Sequence, residues 1–154
     1  MIENLEKADV ESYLTHIVKH AVKNGIEYPP KRVETFREVL QRIVGNKEEG
    51  EALVIKNSDE IVASAMLDYF VDFSDGKTRN AEIMGVYVAD DYQRRGMAGR
   101  LMDELFSRAR AAGCKRVFLY ARTLSAKQLY TRLGFKQIVP DEYNGRVLMY
   151  LDLQ

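Results

Sequence analysis

The strongest constraint on the fold lies in residues 79 to 112, where the hydrophobic pattern changes period around one tight turn. Residues 79 to 89, with Ile83, Val86, Tyr87 and Val88, read as a strand. Met97, Leu101, Leu105 and Ala109 then repeat at the spacing of one helix face over residues 97 to 112. Between them stands Gln93-Arg94-Arg95-Gly96-Met97-Ala98. A helix that starts just after Gly96 presents its first amides unpaired at the positive end of its dipole, and so attracts an anion. Gly96 can take backbone angles closed to other residues, and Ala98 and Gly99 carry too little side chain to keep a ligand away. Arg94 and Arg95 supply charge able to pair with phosphate oxygens. The bland alternative is small residues chosen for close packing beside a solvated basic turn. Two familiar phosphate turns do not fit: Gly96, Ala98 and Gly99 lack the third glycine of a dinucleotide fingerprint, and Arg100-Leu101 replaces the Lys-Ser/Thr of a P-loop.

A second informative stretch runs from Thr123 to Phe135. It reads as a short helix, with Ser125 and Gln128 spaced as a capping box and Gly134 placed as the stop. Leu129 and Leu133 lie four apart and are expected to pack inward. A strand is expected over 115 to 122, with two more near 135 to 139 and 146 to 153. Upstream, residues 51 to 57 and 60 to 72 read as strands joined by the Asn57-Ser58-Asp59-Glu60 turn. The Ser74-Asp75-Gly76-Lys77 turn then leads into the strand at 79. The chain opens with a helix over about 7 to 24, with Leu14, Ile17, Val18 and Ala21 on one face. The Asn24–Pro30 segment breaks it, and a second helix runs from near Val33 to Val44. His16 and His20 have the i,i+4 spacing that suits a metal, but they fall on the polar face without an acidic or thiol partner and read as solvated. The whole order predicts a single α/β domain over residues 1 to 154, a mixed, mostly antiparallel sheet flanked by helices.

Gln93-x-x-Gly96-x-Ala98 is similar to the (Gln/Arg)-x-x-Gly-x-(Gly/Ala) motif of the GNAT superfamily of acyl-CoA-dependent N-acyltransferases. Leu129-Tyr130-x-x-Leu133-Gly134-Phe135 resembles that superfamily's second conserved helix, and the two motifs stand in its order, separated by one amphipathic helix and one strand. The resemblance covers residues 80 to 153 well and the N-terminal half in general pattern. It implies the GNAT fold, with a splayed central strand pair that admits CoA, and acetyl transfer from acetyl-CoA to a primary amine by direct attack. The backbone of Val86, Tyr87 and Val88 would pair with the pantetheine arm, and a bulge near residues 84 to 86, at Gly85, would supply the N–H that polarises the thioester carbonyl. Gln93, Arg94, Arg95 and the amides of Gly96, Met97, Ala98 and Gly99 would hold the pyrophosphate. Many members carry Asn ahead of the second helix; here Thr123 stands in that place, so no side-chain amide reaches the arm.

Acyl transfer to an amine needs a base, an oxyanion donor and an acid for the leaving thiolate, because an alkyl ammonium with a pKa of about 10.4 has no lone pair to attack with. The resemblance places Tyr130 as the acid near the CoA sulfur; a packed core tyrosine is the alternative. Glu82, eleven positions before Gln93, is where relatives that use a glutamate base carry it. The alternative is a strand glutamate that pairs with a lysine or orients a water.

Lys plus Arg equals Asp plus Glu at 23 each, so no net field favours nucleic acid or an anionic membrane. The lone Cys114 excludes an internal disulfide and reads as a small buried thiol, and there is neither an N-terminal signal nor an apolar run of about 20 residues, so a cytoplasmic protein is expected. No metal is expected. For the acceptor, Tyr28, Tyr69, Phe70, Asp72, Phe73, Glu142 and Tyr143 are expected near the mouth, an aromatic and acidic set that would suit a cationic amine. A small-molecule amine is the expected partner. A protein or peptide amine, or a non-catalytic acyl-CoA-binding module of the same fold, stands as the alternative. A homodimer is common among relatives, with nothing in the sequence to fix an interface.

Overall fold

The computed structural model describes residues 1–138 and 146–153. Its elements are β1 (Ile2–Asn4), α1 (Val10–Lys23), α2 (Pro30–Ile43), β2 (Gly50–Asn57), β3 (Glu60–Val71), β4 (Arg79–Val88), α3 (Met97–Ala111), β5 (Arg116–Ala121), α4 (Leu124–Arg132), β6 (Lys136–Gln137) and β7 (Val147–Asp152). The strands form one sheet in the order β1-β2-β3-β4-β5-β7-β6. Every pairing is antiparallel except β4 with β5, which is parallel. This is the mixed α/β sheet expected.

Helices cover both faces. On one, Leu101, Met102, Leu105, Phe106 and Ala109 of α3 and Tyr130 of α4 close over Ala81, Ile83, Val117, Leu119 and Met149. On the other, Tyr13, Leu14 and Ile17 of α1 and Leu40 and Ile43 of α2 pack on Ala52, Val54, Met66 and Tyr87. Strand β3 lies between, which is why Ile61 to Leu67 are buried without alternation: a central strand covered on both faces has no side to give to water. Ser64 is the one polar side chain in that run, and it faces the site.

The differences from the expected elements have local causes. Helix α2 begins at Pro30, earlier than expected, because proline suits the first helical position where its missing N–H costs nothing. Strand β1 is too short to carry a periodic signal and exists by pairing Ile2 with Ile55. The short helix α4 is capped by Thr123, whose hydroxyl accepts from Ala126 N at 3.1 Å, and not by Ser125. Its stop is as expected: Gly134 takes φ +100° while Phe135 N donates to Tyr130 O at 3.0 Å.

Candidate active site

The parallel β4–β5 ladder holds only at Ala81 with Val117 and Glu82 with Phe118, after which the strands part. Beyond that point β4 bulges. Its register against β3 shifts between Met66, which faces Met84, and Ser64, which faces Tyr87, so that Gly85 and Val86 together oppose Ala65. Gly85 takes φ +63°, a conformation that the absence of a Cβ allows. Its carbonyl accepts from Ser64 Oγ at 2.8 Å and from Tyr13 Oη at 3.2 Å. Burial pushes the Tyr13 phenol up, which keeps it a donor at neutral pH. The bulge is thus held from below by two hydroxyls that sequence reading missed, since Tyr13 and Ser64 lie far from Gly85 along the chain.

The parted strands open into a cavity of about 1120 Å³, roofed by α1 and α2 and floored by β4 and β5. Tyr130 lines it from α4. Its ring is buried against Phe135 at a centroid distance of 5.7 Å, and burial pushes its phenol up to about 12. Among the described residues its hydroxyl has no hydrogen-bond partner. Such a hydroxyl stays protonated at neutral pH and is free to donate into the cavity.

Glu82 lines the same cavity, half-buried. Burial and then the charge of Asp68, its neighbour across the β3–β4 ladder, raise its pKa, while Arg146 and Arg122 pull the other way. Asp68 is itself held by Arg42, whose Nη2 lies 2.8 Å from both carboxylate oxygens.

Past Gln93, which lines the cavity, α3 starts at Met97 behind Gly96, which takes the left-handed φ of +76°; residues 94 to 99 themselves are not among the lining residues. Arg94 is also left-handed, at φ +63°. No side chain caps α3, and the N–H groups of Met97, Ala98 and Gly99 make no backbone bond into the preceding turn; the first such bond runs from Arg100 N to Gly96 O at 3.0 Å. A Cβ added at Gly96 or Gly99 would meet nothing within 4 Å, so the helix end opens to solvent. Gln93 lines the cavity and donates to Val88 O at 3.1 Å, which ties the turn to the end of β4. Arg94 and Arg95 are exposed, the latter 5.0 Å from the Tyr92 ring centre. Val86 and Thr123 line the cavity, whereas the Tyr87 side chain turns away into the α1 core.

Several acceptor expectations are corrected. Tyr28 lines the cavity, but Tyr69, Phe70, Asp72 and Phe73 do not. They sit toward the other end of the β3–β4 hairpin, where Tyr69 bonds Glu51, Phe70 packs on Phe118, Asp72 accepts from Ser74 and Phe73 is fully exposed. Glu142 and Tyr143 lie outside the described residues. His20 is not a solvated histidine: it packs edge-on against Tyr87 at 4.6 Å, lines the cavity, and has its pKa lowered by burial. Cys114 is buried, as expected. Among the described residues no group of three or more His, Cys, Asp or Glu is arranged to hold a metal ion, and no helix is long and apolar enough to cross a membrane.

The charged groups that sequence reading missed are Arg32, Arg122 and Arg146, all on the cavity wall. One signal was available for Arg122. Val117, Leu119 and Ala121 of β5 face the α3 core, so the intervening positions, continued to Arg122, face the cavity side.

The chain thus combines a bulged strand that parts from a parallel neighbour, a helix start without a side-chain cap, and a tyrosine whose hydroxyl is unpartnered among the described residues. The family model described as Acetyltransferase (GNAT) family matches residues 14–135, and the chain belongs to that family. Among solved structures it is similar to a GNAT-family acetyltransferase from Staphylococcus aureus Mu50, with a TM-score of 0.81, 16% identity, and coverage of 100% of this chain and 99% of that one. An acetyltransferase from Clostridium acetobutylicum, solved with acetyl-CoA, has a TM-score of 0.78 and 14% identity over 93% of this chain and 94% of that one. A ribosomal-protein-alanine N-acetyltransferase from Brucella melitensis has a TM-score of 0.73 and 20% identity over 99% of each chain. No curated protein sequence matches the chain.

Proposed function

We propose that this acetyltransferase moves the acetyl group of acetyl-CoA to the primary amine of a small molecule, within one domain spanning residues 1 to 154. The observation that carries the reading is that Tyr130, whose hydroxyl has no hydrogen-bond partner among the described residues, lines the same cavity as the β4 bulge and Glu82. In this reading the pyrophosphate sits on the amides of Gly96, Met97, Ala98 and Gly99, with Gln93, Arg94 and Arg95 around it. The pantetheine arm runs along the backbone of Val86, Tyr87 and Val88, passing Thr123. Glu82, directly or through water, takes the proton of the bound ammonium. The freed nitrogen lone pair attacks the thioester carbonyl, a C–N bond forms, and a bulge amide N–H receives the developing oxyanion. Collapse breaks the C–S bond. The thiolate takes a proton from Tyr130, and the second nitrogen proton leaves to solvent, giving the amide and free CoA.

The roof that Tyr28 and then Arg32 and Phe36 of α2 lay over the cavity favours a small acceptor over a chain that must pass through an open groove. The test is CoA release from acetyl-CoA across amino acids, polyamines, aminoglycosides and short peptides, against a blank without acceptor. Release with one class above the blank is the expected result; no release with any of them, while acetyl-CoA still binds, would move the protein to a non-catalytic binding module.

A further inference from the structure

Arg32 of α2, Arg122 after β5 and Arg146 before β7 all line the cavity with Glu82; Arg122 is near enough to the other two for their charges to act on it, and Glu82 feels Arg122 and Arg146. Among the described residues none of the three is in an ion pair. Two lie over aromatic rings: the Arg146 guanidinium carbon is 4.2 Å from the Tyr120 ring centre and that of Arg32 is 4.5 Å from that of Tyr28. Such stacking fixes direction and leaves the planar N–H edges free. The Arg146 Nε is buried and has no hydrogen-bond partner among the described residues. Burial lowers the Arg122 pKa, and the charges of Arg32 and Arg146 lower it further while Tyr28 and Glu82 act the other way, so the three cations lie close enough to repel one another. Glu27 reaches the cavity rim but is exposed, and its backbone carbonyl, not its carboxylate, meets Arg32. Among the described residues these three guanidinium groups have Glu82 as their half-buried carboxylate, and cations gathered in this way are costly to keep unless a ligand brings an anion.

We infer that the acceptor is a small zwitterion, an amine that carries a carboxylate, bound with its carboxylate on Arg122, Arg146 and Arg32 and its ammonium toward Glu82. This rests on the acyl-transfer reading and names the substrate class of the same site. The charges of the cavity match those of the molecule: among the described residues, cationic groups stand beside the carboxylate of Glu82, as the carboxylate of an amino acid stands beside its ammonium. It reverses the expectation of a cationic acceptor, because a polyamine would bring further positive charge against the three arginines. The CoA phosphates are not the anion required, since the α3 end has its own open amides and its own Arg94 and Arg95.

The experiment compares acetyl-CoA-dependent CoA release for the common amino acids, their carboxamides, their decarboxylated amines and spermidine, with wild type and Arg122→Met. Wild type is expected to favour an acid over its carboxamide by about 100-fold in kcat/KM, the worth of two charge-assisted hydrogen bonds. Arg122→Met should erase most of that preference while the KM for acetyl-CoA stays within about twofold, a change of selectivity that mere loosening of the fold would not produce. Equal or faster turnover of the decarboxylated amine, spermidine or an oligopeptide overturns the inference and leaves acyl transfer standing. No release with any acceptor overturns the catalytic reading instead. The inference then stands or falls on thermal unfolding of the acetyl-CoA-saturated protein, where an amino acid must raise Tm in wild type but not in Arg122→Met, and no shift with any amino acid overturns it.

Discussion

In the proposed reaction Tyr130 and Glu82 have separable duties, and single atoms test them. Replacing Tyr130 with Phe removes a hydroxyl without a partner among the described residues and keeps the ring against Phe135. The kcat should fall by about 100-fold with the KM for acetyl-CoA unchanged, and Tm should stay within roughly 2 °C. For Glu82, burial favours the neutral carboxyl, so its pKa lies above the ordinary 4.5. As a base it works when ionised. The kcat should therefore rise as pH increases through that raised value, and Glu82→Gln should lower kcat and remove this limb. The stability effect has the opposite sign. A raised folded pKa means the contribution of Glu82 is present below 4.5 and lost as pH rises through the folded value, so Glu82→Gln should be more favourable to Tm at pH 7 than at pH 4. Both residues were legible in the sequence because they stand at fixed distances from local motifs. The arginines were not, because positions 32, 122 and 146 meet only when α2, β5 and β7 are assembled around one cavity.

The elements that shape the site are set by backbone geometry more than by side-chain chemistry. The bulge in β4 depends on Gly85, where a Cβ would fall 2.5 Å from Tyr13 Oη and 3.0 Å from Phe36 Cζ while φ stays positive. Gly85→Ala should cost about 2 to 4 kcal/mol in urea unfolding and lower kcat more than it raises the KM for acetyl-CoA. Ser64→Ala removes one of the two hydroxyls on the Gly85 carbonyl and should cost about 1 kcal/mol, because Tyr13 still donates. The glycine was readable as a place for a bulge; its two hydroxyl supports were not, since they come from α1 and β3. The cap of α4 shows the limit of local pattern. Ser125 and Gln128 have capping-box spacing, yet the helix begins two residues earlier than that box allows and Thr123 takes the cap, in an extended conformation of φ −132° shortly after the end of β5.

Over the whole molecule, the cavity is open and its helix end is uncapped, so the cosubstrate should stabilise the fold by mass action. Acetyl-CoA at about 100 times its Kd should add roughly 2.7 kcal/mol, or about 5 to 10 °C in Tm by thermal scanning, and Gly96→Val should lose most of that shift. The order of helices and strands was legible because it is written in local hydrophobic period: 2 for the strands, 3.6 for α1 and α3, and an unbroken apolar run for β3 at the sheet centre. The anion-attracting turn was legible for the same reason, as Gly96 and the start of α3 are neighbours in the chain. What the sequence by itself determined about this protein is therefore what a short stretch of backbone can encode: its elements, its turns, and the family those motifs mark. Only the tertiary structure decided where Tyr69, Phe70, Asp72 and Phe73 lie, away from the cavity, and that three arginines from distant segments lie in it. The sign of charge in a pocket is a sum over residues that long-range packing brings together, and no local pattern carries that sum.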